Sequence, residues 1–259
     1  MSLADIQAVS LDLLVEFDSF CRANSLKYSL AYGTLIGAVR HKGFIPWDDD
    51  VDVVMPRPDY ERLCKLYKES EGFKLFYPGD GQCMLSYARL CDMSRTVVDS
   101  KAPWILEQAG VWIDIFPIDA APDSAKATEC CYKRMQKRYR RLLRTRKHIG
   151  CHGLEKILYP CACEETARLR ALRYDNHSKK LPYGSTKRLF NWAAPLWKTA
   201  VSYSSDILDE MTEVEFCGHS FLAVKDWNQA LSNQYGDYMQ LPPVEQRVST
   251  HKAHTYYWE

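Results

Sequence analysis

Four aspartates, Asp48, Asp49, Asp50 and Asp52, crowd into five positions of the segment GFIPWDDDVDVVMPR (Gly43 to Arg57), directly ahead of Val53, Val54 and Met55. Carboxylates this close repel one another and resist desolvation unless a proton, a cation or a basic partner answers them. Three readings compete. The run is a solvated turn, the usual fate of surface aspartates. Or it is a calcium loop, since Asp48, Asp50, Asp52 and Asp59 fall where the first, third, fifth and twelfth residues of an EF-hand would. That loop needs glycine at its sixth position, where this chain has Val53. Or it is a Mg²⁺ site for phosphoryl transfer, in which carboxylate oxygens hold a hard cation that compensates phosphate charge as a bond breaks. The third reading asks for an acid from a second element, and Asp114, alone in the apolar segment GVWIDIFPI, answers it.

The elements that must position these groups are legible from periodicity. KYSLAY alternates and reads as a short strand, and Gly33 and Thr34 then open a helix whose N-terminus offers backbone N–H groups and positive dipole to phosphates. DVDVVM reads as the next strand. Its alternation puts Asp50 and Asp52, with Asp48 in the same parity, on one face and Asp49 on the other. Pro56 and Pro58 end that strand and YERLCKLYKES continues as a helix, while MLSYARLCD and GVWIDIFPI are further strands, the latter closed by Pro117. Ahead of all these, Ile6, Val9, Leu13, Phe17 and Phe20 mark an amphipathic first helix.

Beyond Asp119 the composition changes. KRMQKRYRRLLRTRK (Lys133 to Lys147) predicts a helix with Met135, Tyr139, Leu142 and Leu143 on one stripe and cations elsewhere, and EETARLRALRY predicts another. FCGHSFLAV and the tail QYGDYMQLPPVEQR return to short strand and loop. The expectation is an α+β fold, a mixed sheet flanked by helices, in one catalytic domain (1–259) with a core of about 1–120 and 211–259 and a helical insertion at about 121–210.

Composition narrows the classes. A chain of 259 residues with 46% hydrophobic content is globular, and 34 Lys+Arg against 33 Asp+Glu leave no global field that would draw nucleic acid. No apolar run approaches the ~18 residues of a spanning helix, and MSLADIQ lacks the pattern of a secretory leader. The expectation is a cytoplasmic protein, peripheral at the inner membrane face if the basic helix touches an anionic surface. The ten cysteines then read as reduced thiols, although His148, Cys151, His152, Cys161 and Cys163 raise the question of zinc without presenting a C-x-x-C or H-x3-H spacing.

The segment AYGTLIGAVRHKGFIPWDDDVDVVMPRPDY resembles the signature of the LicD family, which also contains the fukutin-related proteins and has the nucleotidyltransferase fold. GVWIDIFPID and QYGDYMQLPP continue the resemblance, which covers about two thirds of the chain; the helical insertion shows no matching motif. The resemblance implies transfer of a phospho-alcohol, such as phosphocholine or ribitol phosphate, from a CDP-activated donor to a sugar hydroxyl of a glycan or glycolipid, with release of CMP. By position it implies Asp48, Asp50, Asp52 and Asp114 as ligands of Mg²⁺ or Mn²⁺, with Asp50, Asp52 and Asp114 catalytic and Gly33 and Thr34 at the phosphate turn. Arg40 and Arg89 are candidates to neutralise the pyrophosphate or to pair with the surplus aspartates. His251 and His254 are candidates to face the donor or the acceptor hydroxyl, or are simply exposed. Two rival readings stay open: transfer of the nucleotidyl group itself, and a scaffold that keeps the fold without turnover.

Overall fold

The computed structural model describes the chain except residues 71, 101–108, 194, 196–201 and 249–253. The first half runs α1 (Leu3–Ala23), β1 (Ser29–Leu30), α2 (Tyr32–His41), β2 (Asp52–Pro56), α3 (Arg57–Leu66), β3 (Phe73–Phe76), β4 (Ala88–Asp92), β5 (Thr96–Ser100) and β6 (Trp112–Ala121). The second runs α4 (Ala125–Lys147), α5 (Leu154–Leu158), α6 (Glu164–Ser178), β7 (Arg188–Phe190), β8 (Ser202–Ser204), β9 (Met211–Phe216), β10 (His219–Val224), α7 (Trp227–Tyr235) and β11 (His254–Trp258).

The architecture is α+β, with helices around one mixed sheet in the order β1-β2-β6-β4-β3, extended by β7 beside the far end of β6 and by β8 beside β7. β2 and β6 run parallel at the centre, and the other neighbours are antiparallel. β6 is buried along almost its whole length, as a central strand covered on both faces must be. Two further antiparallel pairs, the hairpin β9–β10 and the long-range pair β5–β11, stand beside this sheet. The β9–β10 turn is Cys217-Gly218, both at positive φ, the backbone a tight two-residue hairpin requires. β10 is tied to β1 through the Val224 N–H, which donates to Ser29 Oγ at 3.0 Å.

α1 forms because Ser2 and Asp5 cap its N-terminus reciprocally while Ile6, Val9, Leu13, Leu14 and Phe17 give one buried stripe. That stripe joins Tyr28, Val53, Leu90 and Ile113 in the main core. A second cluster holds Tyr132, Met135 and Tyr139 of α4 against Tyr174 of α6 and Phe190 of β7. The two regions are joined by charge: Arg57, at the start of α3, donates from Nε to Asp119 of β6 at 2.6 Å and from Nη1 to Asp175 of α6 at 2.7 Å, all three buried.

Several elements differ from the periodicity reading. α2 starts at Tyr32, which holds a φ of 49° rare for a bulky residue, so the turn sits one residue earlier than Gly33 and β1 keeps only Ser29 and Leu30. β6 continues through Pro117 to Ala121 rather than closing there. On its flank away from β2, β4 pairs only as far as Ile115 and β7 only from Asp119, so the proline falls between two partners and its missing N–H breaks no ladder. Residues 121–210 supply α4, α5 and α6 as helices, and also β7 and β8.

Candidate active site

Backbone register builds the site. Asp52 is paired with Asp114 across the parallel strands β2 and β6, and Asp114 is paired with Arg89 across the antiparallel strands β6 and β4. Three chemically loaded side chains therefore stand side by side across the centre of the sheet. Arg89 Nε donates to Asp114 Oδ1 at 2.6 Å and Nη2 to Oδ2 at 3.2 Å, a two-pronged grip that the Tyr87 hydroxyl joins at 3.4 Å. The Arg89 guanidinium also lies 4.0 Å over the Trp112 ring.

Ahead of β2, Asp48, Asp49 and Asp50 can each bring a carboxylate oxygen within 4.8 Å of the others. This is where the periodicity reading fails: residues 48–51 are not strand, because β2 begins only at Asp52, so no alternation turns Asp49 away. Asp49 belongs with its neighbours. The Asp52 carboxyl is pushed well above the ordinary carboxylate range by burial first, then by the charges of Asp50, Asp114 and Asp48, with Arg89 opposing. Such a group accepts a cation readily, and the donor set is all carboxylate oxygen, the chemistry of a hard divalent ion.

α2 braces this cluster. A Cβ on Gly33 would lie 2.6 Å from Asp48 Oδ2, so the glycine lets that carboxylate sit against the first turn of the helix, at the positive end of its dipole. The Thr34 hydroxyl is buried and accepts the Asp52 N–H at 2.9 Å, which fixes the start of β2. Arg40 stands at the other end of α2, where Nη1 donates to the Tyr238 carbonyl at 2.5 Å and Nε to His41; neither partner belongs to the acidic set. His251 lies outside the described residues.

A cavity of about 200 Å³ opens beside the acids. Asp49, Asp50 and Asp114 line one part of it, and Arg89 and Arg146 another. Tyr87, Trp112 and Tyr139 contribute rings, as do His254 and Tyr256 of β11, which contact Trp112 at centroid distances of 5.4 and 5.6 Å. The Tyr235 hydroxyl is pushed up by burial and by Asp52, which places it near the same carboxylates. A second hollow, about 40 Å³, is apolar and lies against Leu30, Leu35 and Leu231, too small for more than a water or two.

Arg146 is the residue that sequence reasoning missed. Composition groups it with the basic face of α4, yet its side chain is buried, and burial pulls its guanidinium below the ordinary range. The signal was present in the spacing: Met135, Tyr139, Leu142 and Arg146 follow one another at steps of four, three and four, so Arg146 continues the buried stripe. The His148, Cys151, His152, Cys161 and Cys163 set is not assembled in this way. Among the described residues only Asp48, Asp49 and Asp50 converge as a group of three or more candidate ligands, and His148 instead stacks on Tyr159 at 3.7 Å.

Comparison with known proteins meets this geometry directly. Residues 25–149 match the family model described as LicD/FKTN/FKRP, nucleotidyltransferase domain. The likeness to the LicD family lies in these residues. The LicD match spans β1 to α4 and so contains every acid of the cluster together with Gly33, Thr34, Arg89 and Arg146. The lipopolysaccharide cholinephosphotransferase LicD of Haemophilus influenzae is 29% identical over 274 aligned residues, which cover 99% of this chain and 98% of that protein. An uncharacterised protein of Rickettsia prowazekii is 36% identical over 74 residues, 27% of this chain and 28% of its own length. The alignment with the Haemophilus protein includes the segment after Asp119 in which no motif is readable.

Proposed function

We propose that this chain is a metal-dependent phosphotransferase that moves a phospho-alcohol, phosphocholine foremost, from a CDP-activated donor to a sugar hydroxyl of a glycan, releasing CMP. The observation that carries this reading is the pairing of Asp52 with Asp114 at the centre of the sheet, beside the converging carboxylates of Asp48, Asp49 and Asp50 and a cavity holding Arg89 and Arg146. The full-length similarity to a protein named lipopolysaccharide cholinephosphotransferase supports the choice of phospho-alcohol and glycan. The description of the matching family model supports a nucleotidyltransferase-like arrangement of the sheet.

In this reading Asp48, Asp49, Asp50 and Asp52, with Asp114 beside them, hold Mg²⁺ or Mn²⁺. The ion, when bound, offsets charge on the donor phosphates and on departing CMP. Arg89 and Arg146 take pyrophosphate oxygens as fixed, two-pronged donors. The acceptor hydroxyl oxygen forms a bond to the phosphorus bearing the alcohol while the bond from that phosphorus to the CMP oxygen breaks, and the hydroxyl proton passes to a carboxylate or to water. Arg89 occupies both oxygens of Asp114, which suits Asp114 to positioning rather than to taking the proton.

A donor panel of CDP-choline, CDP-ribitol and CDP-ethanolamine, offered with a glycan acceptor and Mg²⁺ or Mn²⁺ and scored for CMP, tests the proposal. CMP release that requires metal and acceptor is the expected result. Pyrophosphate release from a nucleoside triphosphate would favour nucleotidyl transfer instead, and metal-indifferent donor binding without turnover would favour a scaffold.

A further inference from the structure

The chain from Cys130 to Leu154 contains no acidic residue, and Glu129, paired with Lys133 at 3.2 Å, is the only acid on α4. Between Lys133 and Lys147 that helix turns eight Lys and Arg side chains to solvent, while Arg146 and the apolar stripe face inward. At its C-terminal end the chain folds back on itself: the His148 ring stacks on Tyr159 and lies 3.7 Å from the Glu155 carboxylate, which holds α5 against the last turn. α5 has no buried residue. Its Leu154, Ile157 and Leu158 fall on one face at i, i+3 and i+4, and are 80%, 74% and 72% exposed.

Three clustered aliphatic side chains in water, bordered by a helix-long cationic face and by Lys156 and His152, have a combination of needs that few surfaces meet. An anionic polysaccharide or a nucleic acid answers the cations and offers nothing to the aliphatics. A protein groove answers the aliphatics and leaves the length of α4 unused. A bilayer carrying anionic lipid answers both, with acyl and glycerol groups for the one and phosphates for the other. We propose that this corner is a docking surface for an anionic lipid bilayer, with Leu154, Ile157 and Leu158 entering the headgroup region and the cationic face of α4 lying against lipid phosphates. No helix of the described chain is long and apolar enough to cross a membrane, so the contact is peripheral. It stands independently of the reaction assigned above. It would bring the cavity close to the membrane, because Arg146 lies between the outward Arg144 and Lys147 on the same turn.

Sedimentation of the full chain with vesicles tests it. Vesicles of phosphatidylcholine with one-third phosphatidylglycerol should bind at least tenfold more tightly than phosphatidylcholine alone, and less tightly as salt rises. The triple change Leu154→Gln, Ile157→Gln, Leu158→Gln should weaken binding at least tenfold with the melting temperature unmoved, because these side chains are exposed. Arg138→Gln, Arg141→Gln and Arg144→Gln together should weaken it on the order of a hundredfold, about fivefold per charge. Equal binding by the aliphatic variant would reduce the contact to adsorption by charge and overturn the proposal. So would equal binding to neutral and anionic vesicles, or capture by soluble heparin as tight as by vesicles, which would make this a glycan-binding face.

Discussion

Asp52 and Asp114 occupy paired positions on two parallel strands, so their carboxylates lie side by side at the centre of the sheet, with Arg89 on the far flank of Asp114 alone. One cation thus serves Asp114, while Asp52 is left with Asp50, Asp114 and Asp48 as its electrostatic neighbours. The asymmetry makes Asp52 the carboxylate most in need of a bound cation.

The first prediction follows from that imbalance. The Asp52 carboxyl is raised in the folded state, so its contribution to stability is complete below the unfolded value near 4 and fades as pH rises through the folded value. Asp52→Asn removes the titration and keeps the shape. In chelator-treated protein at neutral pH the variant should melt above wild type by about 2–4 °C, the shift about 1 kcal/mol produces in a chain of this size. The gap should close towards pH 4, added Mg²⁺ should stabilise the variant less than wild type, and transfer should be lost. Identical melting curves with and without metal would remove Asp52 from the site.

Gly33 and Gly37 separate function from fold within a single helix. A methyl group at Gly33 meets only the carboxylate end of Asp48, which can swing aside. At Gly37 it meets the Gly43 carbonyl oxygen at 2.4 Å, which is backbone and cannot. Gly33→Ala should therefore keep its melting temperature, helped by the helix preference for alanine, yet bind Mg²⁺ more weakly and lose activity about tenfold or more. Gly37→Ala should be destabilised by about 2 kcal/mol or more, as a forced backbone shift requires. Thermal melts alongside metal titration distinguish the two, and a Gly33→Ala enzyme with normal metal affinity would end the argument that Asp48 needs this space.

How much of this was legible in the sequence depends on what set each feature. The amphipathic α1 and α4 were, because their apolar residues recur at the helical period over about three turns or more. The acidic set was legible as chemistry, and Asp114 stood out as a lone acid in an apolar strand. The place of Asp49 was not, because a parity argument holds only inside a strand and β2 starts at Asp52. β3, β7 and β8 are four, three and three residues long, too short for a period to show, and β5 and β11 pair from opposite halves of the chain. The role of Pro117 depended on where β4 and β7 stop, which is a tertiary fact. Arg146 was hidden by composition: one buried arginine looks like its exposed neighbours until its spacing on the stripe is counted.

The buried triad predicts a stability effect far from the chemistry. Arg57 is the shared partner of Asp119 and Asp175, and each of the three side chains is at least 94% hidden from solvent. Arg57→Ala leaves two buried carboxylates without that cation and should cost about 3–5 kcal/mol, the penalty typical of breaking a buried pair from one side. Arg57→Met with Asp119→Asn and Asp175→Asn removes the charges together and should recover most of that loss. Chemical denaturation measures both, and a triple variant no better than Arg57→Ala would show that the network acts through its hydrogen-bond geometry rather than its charge.

Arg146 provides the sharpest test, because its two expected effects have opposite signs. Its guanidinium is buried in the cavity wall, where desolvation works against the charged form. A group held at such a cost for structure alone should be expensive to remove. One retained to receive donor phosphate should be cheap to replace by an apolar side chain of similar reach, since the desolvation of its charge, the largest influence on it, goes with it. Arg146→Met is therefore expected to melt at or above wild type in the absence of substrate while losing kcat/KM for the CDP-alcohol by about a hundredfold, which is about 2.7 kcal/mol of transition-state binding. Arg146→Lys keeps the charge but not the planar fork and should fall between, mainly through a higher donor KM. Acceptor KM should stay within about twofold in both variants, since the proposed contact is with the donor's pyrophosphate. If Arg146→Met instead unfolds early and Arg146→Lys restores both stability and turnover in proportion, Arg146 is a structural cation and the donor must be held by Arg89 without it.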